Sequence, residues 1–393
     1  MLSAEHRAIV KATVPLLESG GEALTTHFYK IMLDGHPEVR PLFNQAHQAS
    51  GAQQRALANG VLMYARHIDE LEKLGGLVAQ IINKHVALDI LPEHYPIVGR
   101  CLLRAIREVL GEEIATDAVI EAWGAAYQQL ADLLIGLEEQ IYADRENAPG
   151  GWRGTRAFRV ARKVRESDEI TSFHLRPVDC GPLLEFHPGQ YIGVRLVIEG
   201  EEVRRNYSLS AAPNGREYRI SVKREPNGKV SGHLHEHVKE DDTLELFAPA
   251  GDFKLEPADR PLVLISGGVG ITPTLAMLQA AIGTGRPVHF IHSARHGGVH
   301  AFRDTIDELA TQHPHLKRFY CYEQRRDEDP DAHGIGLLDE NLLDQWLPPT
   351  RDIDVYFLGP LPFMKAVKKH LKTLGVPESQ SRYEFFGPAT ALD

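Results

Sequence analysis

Two groups of residues in this 393-residue chain have types and spacing suited to chemistry. The first is Lys84-His85, with Tyr95 ten positions on and Glu138 further downstream. His85 follows Leu77, Val78, Ile81 and Ile82 at helical steps, so it lies on an apolar helix face, and Pro92 ends that helix. A lone histidine there is more often a satisfied core residue than a ligand. Glu138 alters that weighting. It lies on another apolar stripe, four residues after Leu134 and one after Leu137, and a buried carboxylate needs a partner. Tyr95, just past the break at Pro92, is placed to return towards His85. An imidazole oriented by a carboxylate and a phenol is a stronger donor to a metal. Taken alone, Glu138 has a lesser alternative as a solvated last-turn glutamate.

The second group is Gly267-Gly268-Val269-Gly270-Ile271-Thr272-Pro273, between an apolar strand at 262–266 and a helical run at 274–281. Glycines let the backbone approach a diphosphate, and the helix N-terminus favours its charge. The spacing is not GxGxxG, because Pro273 stands in the last glycine's place. Leu358-Gly359-Pro360 follows another apolar strand. Upstream, Arg205-Asn206-Tyr207-Ser208 offers a guanidinium for a diphosphate, a ring to pack on a flavin and a hydroxyl for a ring nitrogen. Four residues of this kind are a weak signal alone. Their companions are Pro188-Gly189-Gln190-Tyr191 before and Gly228-Lys229-Val230-Ser231-Gly232 after. In the latter, Ser231 is expected to cap a helix beginning near Gly232 and leave amides for a phosphate. A plain hairpin turn fits that segment equally well.

The elements that must position these groups fall into three textures. Residues 1 to about 145 read as helices, with Leu24, Phe28, Ile31 and Met32 in one run and Trp123, Tyr127, Leu130, Leu134, Leu137 and Ile141 in another. Breakers are expected at Gly20-Gly21, Pro37, Pro41, Gly75-Gly76, Pro92 and Gly111. The pattern predicts a helical bundle or globin-like packing. The 147–151 segment, Asn-Ala-Pro-Gly-Gly, reads as a linker. From 158 to about 257, short alternating segments separated by Pro, Gly and Asn predict a small antiparallel barrel. From 261, buried-strand runs at 262–265, 288–291 and 355–358 alternate with helices, which predicts an α/β unit with a parallel sheet. The expected fold is therefore multidomain.

Composition narrows the function. A net charge of −11 disfavours a nucleic-acid surface. Cys101, Cys180 and Cys321 are far apart, which argues for a reducing compartment and against zinc or an iron–sulfur cluster. The N-terminus lacks the pattern of a signal peptide, and no apolar run is long enough for a membrane span, so a cytoplasmic home is expected.

Three more features carry a resemblance. Tyr29 lies in His27-Phe28-Tyr29 on an amphipathic helix, Pro41-Leu42-Phe43 forms a corner, and Gln53 shares a helix face with Leu57 and Val61. With the residues above, the whole chain resembles the flavohaemoglobins, which join a globin to a flavin reductase. The resemblance implies a globin at 1–146, an FAD barrel at 147–257 and an NAD(P) unit at 258–393. It implies haem b with His85 as the iron's protein ligand, Tyr95 and Glu138 as its hydrogen-bonding pair and Phe43 at the haem corner. Tyr29 and Gln53 match the distal pair, with Leu57 as the apolar wall. In the reductase half, which is similar to the ferredoxin-reductase superfamily, Gln190, Tyr191, Arg205, Asn206, Tyr207, Ser208, Val230 and Ser231 match the FAD site. Gly268, Val269, Gly270, Ile271, Thr272, Pro273, Gly359 and Pro360 match the NAD(P)H loops. Leu358 departs from the family's usual cysteine, which puts any thiol role beside the nicotinamide in doubt. Tyr383-Glu384-Phe385-Phe386-Gly387-Pro388 is similar to the closing motif over the flavin, which would put Glu384 near the flavin and Lys84 near the haem edge, at the junction of the two halves.

The implied activity is nitric oxide dioxygenation: NO and O2 become nitrate at the expense of NAD(P)H, with electrons passing through FAD to haem. No obligatory protein partner is implied, and a monomer is expected. An O2- or NO-binding sensor, or a flavin or alkylhydroperoxide reductase, stays open. So does NADH against NADPH, because Arg295 could meet a 2′-phosphate or be solvated.

Overall fold

The structure, a computed structural model, describes residues 2–43 and 51–386. Its first unit is helical: α1 (Ala4–Ala12), α2 (Val14–Gly35), α3 (Ala52–Arg66), α4 (Gly75–Ala87), α5 (His94–Leu110) and α6 (Asp117–Asn147). A 3-10 turn, Pro37–Leu42, makes the corner before Phe43. Ser3 and Thr116 cap α1 and α6 through their side chains, so the polar residue before each apolar run starts the helix. Contrary to the expected break, Gly20-Gly21 lies inside α2. A Cβ at Gly21 would stand 3.4 Å from Ala58 Cβ, so the missing side chain serves the close packing of α2 on α3. Leu24, Phe28 and Met32 of α2 are buried with Leu102 and Ile106 of α5 and with Trp123 of α6.

The second unit holds β1 (Arg156–Arg165), β2 (Ile170–Pro177), β3 (Tyr191–Ile198), β4 (Glu201–Ser208), β5 (Tyr218–Lys223) and β6 (Thr243–Leu246). They form one antiparallel sheet in the order β4-β3-β6-β1-β2-β5. A bridge between Leu209 and Ile220 brings the two ends together, so the sheet curls around Phe158, Phe173, Ile192, Val194 and Ile220 as the expected barrel. Helix α7 (Lys229–Glu236) covers one end of this unit.

The third unit is a parallel sheet in the order β10-β9-β8-β7-β11-β12, built from β7 (Leu262–Gly267), β8 (Val288–Ala294), β9 (Leu316–Tyr322), β10 (Gly334–Ile335), β11 (Asp354–Leu358) and β12 (Ser381–Tyr383). Its helices are α8 (Ile271–Ala281), α9 (Arg303–Gln312), α10 (Glu340–Trp346) and α11 (Leu361–Thr373). Strands β7 and β11 are wholly buried, as the continuous apolar runs require. The chain moves from β7 to β8 and β9 on one side and returns to β11 on the other, so the strand order reverses between β7 and β11. Ligands of such sheets bind outside the carboxyl ends of the strands at that reversal.

The units meet at the end of α4. A Cβ at Gly193 would overlap the Ala87 carbonyl oxygen, and Ala87 is buried with Tyr191 and Ala250. Arg204 donates to Leu88 O, and Gly251 N to Asn83 Oδ1 at 3.3 Å. The helix carrying His85 therefore ends on the barrel strand that begins at Tyr191.

Candidate functional site

His85 projects from the last turn of α4. Its Nδ1 lies 2.7 Å from Glu138 Oε1 and 3.1 Å from Tyr95 Oη, and the Tyr95 hydroxyl donates to the same carboxylate oxygen at 2.7 Å. The carboxylate accepts from both, so Nδ1 carries the proton and Nε2 keeps its lone pair. No described residue bonds Nε2. Glu138 is 2% exposed while its neighbour Leu137 turns outward, so the expected stripe is rotated by one residue to bring the carboxylate in. Burial and the Glu138 charge push the Tyr95 phenol far above its usual range, so it remains a donor. Two further tyrosines on α6 fix this arrangement: Tyr127 donates to Tyr95 O at 2.7 Å, and Tyr142 to Ile90 O at 2.9 Å. The sequence reading passed over that role, although Tyr142 continues the four-residue spacing of Leu134 and Glu138.

Tyr29 is buried on α2, edge-on to Phe28 at 5.0 Å and to Phe43 at 5.6 Å. Burial raises its phenol pKa, and its hydroxyl has no hydrogen bond among the described residues. Gln53, Leu57 and Val61 share one half-buried face of α3. Leu57 and Val61 pack against the core around Tyr29, as do Val78, Ile90, Tyr127 and Leu130, which also pack around Tyr95 and Ile82. An imidazole nitrogen and a phenol without partners among the described residues, together with half-buried apolar side chains, fit a flat apolar group with a metal at its centre.

In the barrel, β3 and β4 pair Tyr191 with Ser208, Ile192 with Tyr207, Gly193 with Asn206 and Val194 with Arg205. Asn206 is exposed and Tyr207 half-buried. Adjacent arginines differ sharply. Arg204 pairs with Glu202 at 2.8 Å and lies over Phe247 at 5.0 Å. Arg205 is desolvated, which lowers its pKa, and it donates to Arg204 O at 2.7 Å without a carboxylate partner among the described residues. A half-buried guanidinium of this kind suits an anion. Gln190 ties two loops, accepting from His187 N at 2.8 Å and donating to Gly251 O at 3.0 Å.

Ser231 corrects an expectation. Helix α7 already starts at Lys229 with Gly228 as its cap, and Ser231 lies inside the first turn. Its Oγ accepts from Glu225 N at 3.1 Å, which closes the preceding loop; the amides of the first turn, Val230 among them, still lack helical partners.

At the strand reversal, Gly268-Val269-Gly270 forms a 3-10 turn, and α8 starts at Ile271, three residues earlier than expected. Ile271, Thr272 and Pro273 are thus buried helix residues, with Thr272 Oγ1 donating to Val269 O at 3.0 Å. Gly268 has φ +53° with open space where a Cβ would stand. A Cβ at Gly270 would come within 2.5 Å of Leu358 O. The two glycine loops therefore touch, with Gly359 and Pro360 leading into α11 across the contact. Phe363, overlooked in the sequence, supports both loops against Gly267 and Gly359.

The tail closes over the junction. Burial raises the Glu384 carboxyl to about 8, Asp252 adds to the rise, and Lys84 opposes it. Burial lowers the Lys84 pKa against the pull of Glu384 and Asp252. Titratable side chains of α4, a barrel loop and the tail thus meet. Phe385 lies edge-on to Tyr383 at 5.7 Å, Phe386 is exposed, and Gly387 and Pro388 lie outside the described residues. Arg295, left open between a phosphate and solvent, is ion-paired with Glu169 of the barrel.

Three family models match in order: Globin at 26–134, Oxidoreductase FAD-binding domain at 157–255 and Oxidoreductase NAD-binding domain at 264–369. Together with the fold they define an oxidoreductase that joins a globin to an FAD- and NAD-dependent reductase, a path for electrons from NAD(P)H through FAD to haem. The flavohemoprotein of Burkholderia sp. strain TH2 is 78% identical over all 393 residues, and that of Pseudomonas putida 71%, each covering both chains fully. The chain belongs to the flavohaemoprotein family. A Malassezia yamatoensis flavohemoglobin, solved with bound FAD and heme, superposes with a TM-score of 0.86 at 26% identity, covering 98% of this chain and 100% of that one. The FAD/NAD-binding domain of the nitric oxide dioxygenase of Vibrio cholerae is 41% identical over 60% of this chain and all of its own, with a TM-score of 0.56. Among the described residues, no helix is long and apolar enough to cross a membrane.

Proposed function

We propose that the protein is an NAD(P)H-dependent nitric oxide dioxygenase, converting NO and O2 to nitrate. The observation that carries this reading is the double engagement of His85 Nδ1 by Glu138 and Tyr95, which leaves Nε2 as an electron-rich donor. A haem b held by Nε2 would supply the iron at which the two gases meet, with FAD and NAD(P)H as its electron source.

This chain's own residues do the rest. Tyr29, protonated throughout the physiological range, offers a hydrogen bond to dioxygen from a pocket walled by Phe43 and Leu57, with Gln53 as its partner. Arg205 and the first-turn amides of α7 hold the flavin diphosphate, while Tyr207 and Ser208 flank the ring. Gly268 and Gly270 let the backbone approach the nicotinamide dinucleotide. Glu384 and Lys84 shield the junction from water. The Vibrio cholerae relative, described as a nitric oxide dioxygenase, supports the same assignment.

The test is NO consumption by purified holoprotein. It should require both O2 and NAD(P)H and yield nitrate in equal amount to NO. Peroxide turnover faster than NO turnover would overturn the reading.

A further inference from the structure

In a doubly wound sheet, the end of the second strand, about 20 residues beyond the glycine loop, meets the 2′ position of the adenine ribose. An acid there accepts from a 2′-hydroxyl, whereas an arginine receives a 2′-phosphate. In this chain that place is the end of β8, Ala294 followed by Arg295 and His296. An arginine there favours NADPH. Its surroundings reverse that expectation.

Arg295 is ion-paired with Glu169, which comes from the barrel turn between β1 and β2. The turn is firmly seated. Asp168 N donates to Gly298 O at 2.9 Å across the domain boundary, and Arg224 N donates to Glu169 O at 2.7 Å. Ser167 Oγ closes the turn by accepting from Ile170 N at 3.1 Å. Glu169 keeps only 17% of its side chain exposed, so it is held facing the loop after β8. Two nearby arginines are engaged as well: Arg165 pairs with Asp168 at 2.9 Å and Arg325 with Asp331 at 3.1 Å. Below the loop, a Cβ at Gly297 would lie 2.7 Å from Asp329 Oδ1. Burial works to raise the Asp329 carboxyl, but amide hydrogen bonds from Gly297 and Arg326 hold it below its usual range.

We propose that Glu169 is a specificity-determining residue of the reductase. By holding Arg295 across the domain boundary, it withholds the guanidinium from a 2′-phosphate and adds a negative charge there, so the chain takes NADH in preference to NADPH. This rests on the glycine loops being the nicotinamide-dinucleotide site. Glu169 acts on the nucleotide through Arg295 and through its own charge, from a turn that no motif of the nucleotide-binding unit contains.

Anaerobic flavin reduction, followed by stopped flow with holoprotein, tests this without involving NO chemistry. Wild type should show a kcat/KM for NADH well above that for NADPH. Glu169→Gln should raise kcat/KM for NADPH about tenfold, chiefly through KM, as expected when one charged contact is released to a phosphate. Its NADH values should stay near wild type, which also shows that the interface still folds. Adding Arg295→Ala to Glu169→Gln should remove most of the gain, because the arginine is the group set free, and leave only the part that comes from losing the Glu169 charge. Equal use of both nucleotides by wild type, or an unchanged NADPH value in Glu169→Gln, would overturn the proposal. Persistence of the whole gain in the double variant would overturn the role of Arg295. Flavin reduction by neither nucleotide would overturn the reading of the glycine loops, and the proposal with it.

Discussion

The helical unit and the nucleotide unit solve the same problem with different parts of the chain. Around His85 the site is made of side chains: an imidazole, a carboxylate and two phenols from three helices, each fixing the next. Around Gly268 and Gly270 it is made of backbone, two loops brought together where a side chain would not fit. A site of side chains can lose one group and keep its shape, so substitutions there should separate one chemical step from another. A site of backbone has no such reserve. Adding a single carbon displaces both loops at once.

The largest expected effect tests the independence of the two units. His85→Ala should abolish haem retention, seen as loss of the Soret band, while flavin absorbance and NADH-driven cytochrome c reduction stay within about twofold, as for distant independent sites. Loss of flavin as well would break the comparison. Tyr29→Phe is nearly isosteric and removes one donor. NO consumption should fall about a hundredfold, the usual cost of a preorganised donor to developing charge, with flavin reduction unchanged. An unaltered O2 dissociation rate in that variant would exclude Tyr29 as the donor. Gly270→Ala is the converse experiment. Its Cβ would meet Leu358 O at 2.5 Å, and overpacking of roughly 1–3 kcal/mol should slow flavin reduction about tenfold to a hundredfold while the haem spectrum stays normal.

The smallest effect lies where the units join. The folded-state pKa of Glu384 is raised from 4.5 to about 8, chiefly by burial, so the neutral acid is the form the fold prefers. Its contribution is fully present below the unfolded pKa and is lost as pH rises through the folded value. Thermal stability should therefore decline between pH 4.5 and 8, and Glu384→Gln should flatten that decline. Equal slopes for variant and wild type would place the carboxylate in water.

Much of both sites was legible in the sequence, for reasons that differ. Glu138 was visible because a carboxylate on an apolar stripe demands a partner, and Tyr95 and His85 supply it. The glycine loops were visible because few residues tolerate the backbone they require. Gly20-Gly21 misled because glycine both breaks helices and lets helices approach, and only the packing of Ala58 against Gly21 decides which. Ser231 misled because a hydroxyl near a helix start can cap the helix or close the loop before it. Arg295 was ambiguous because its partner, Glu169, is 126 residues away in another unit.

By itself, then, the sequence determined the three textures of the chain, the apolar faces and the residues with chemistry to offer. These follow from local rules: periodicity, the cost of burying charge and the conformational range of glycine. Tertiary structure alone decided which polar groups are satisfied by which. Leu137 faces out and Glu138 in because Tyr95 and His85 wait on neighbouring helices. Arg204 pairs with Glu202 and Arg205 has no carboxylate partner among the described residues although the two are adjacent in the chain, because the strand turns them to opposite faces. Partnership depends on where distant backbone segments come to rest, and spacing along one segment carries no record of that.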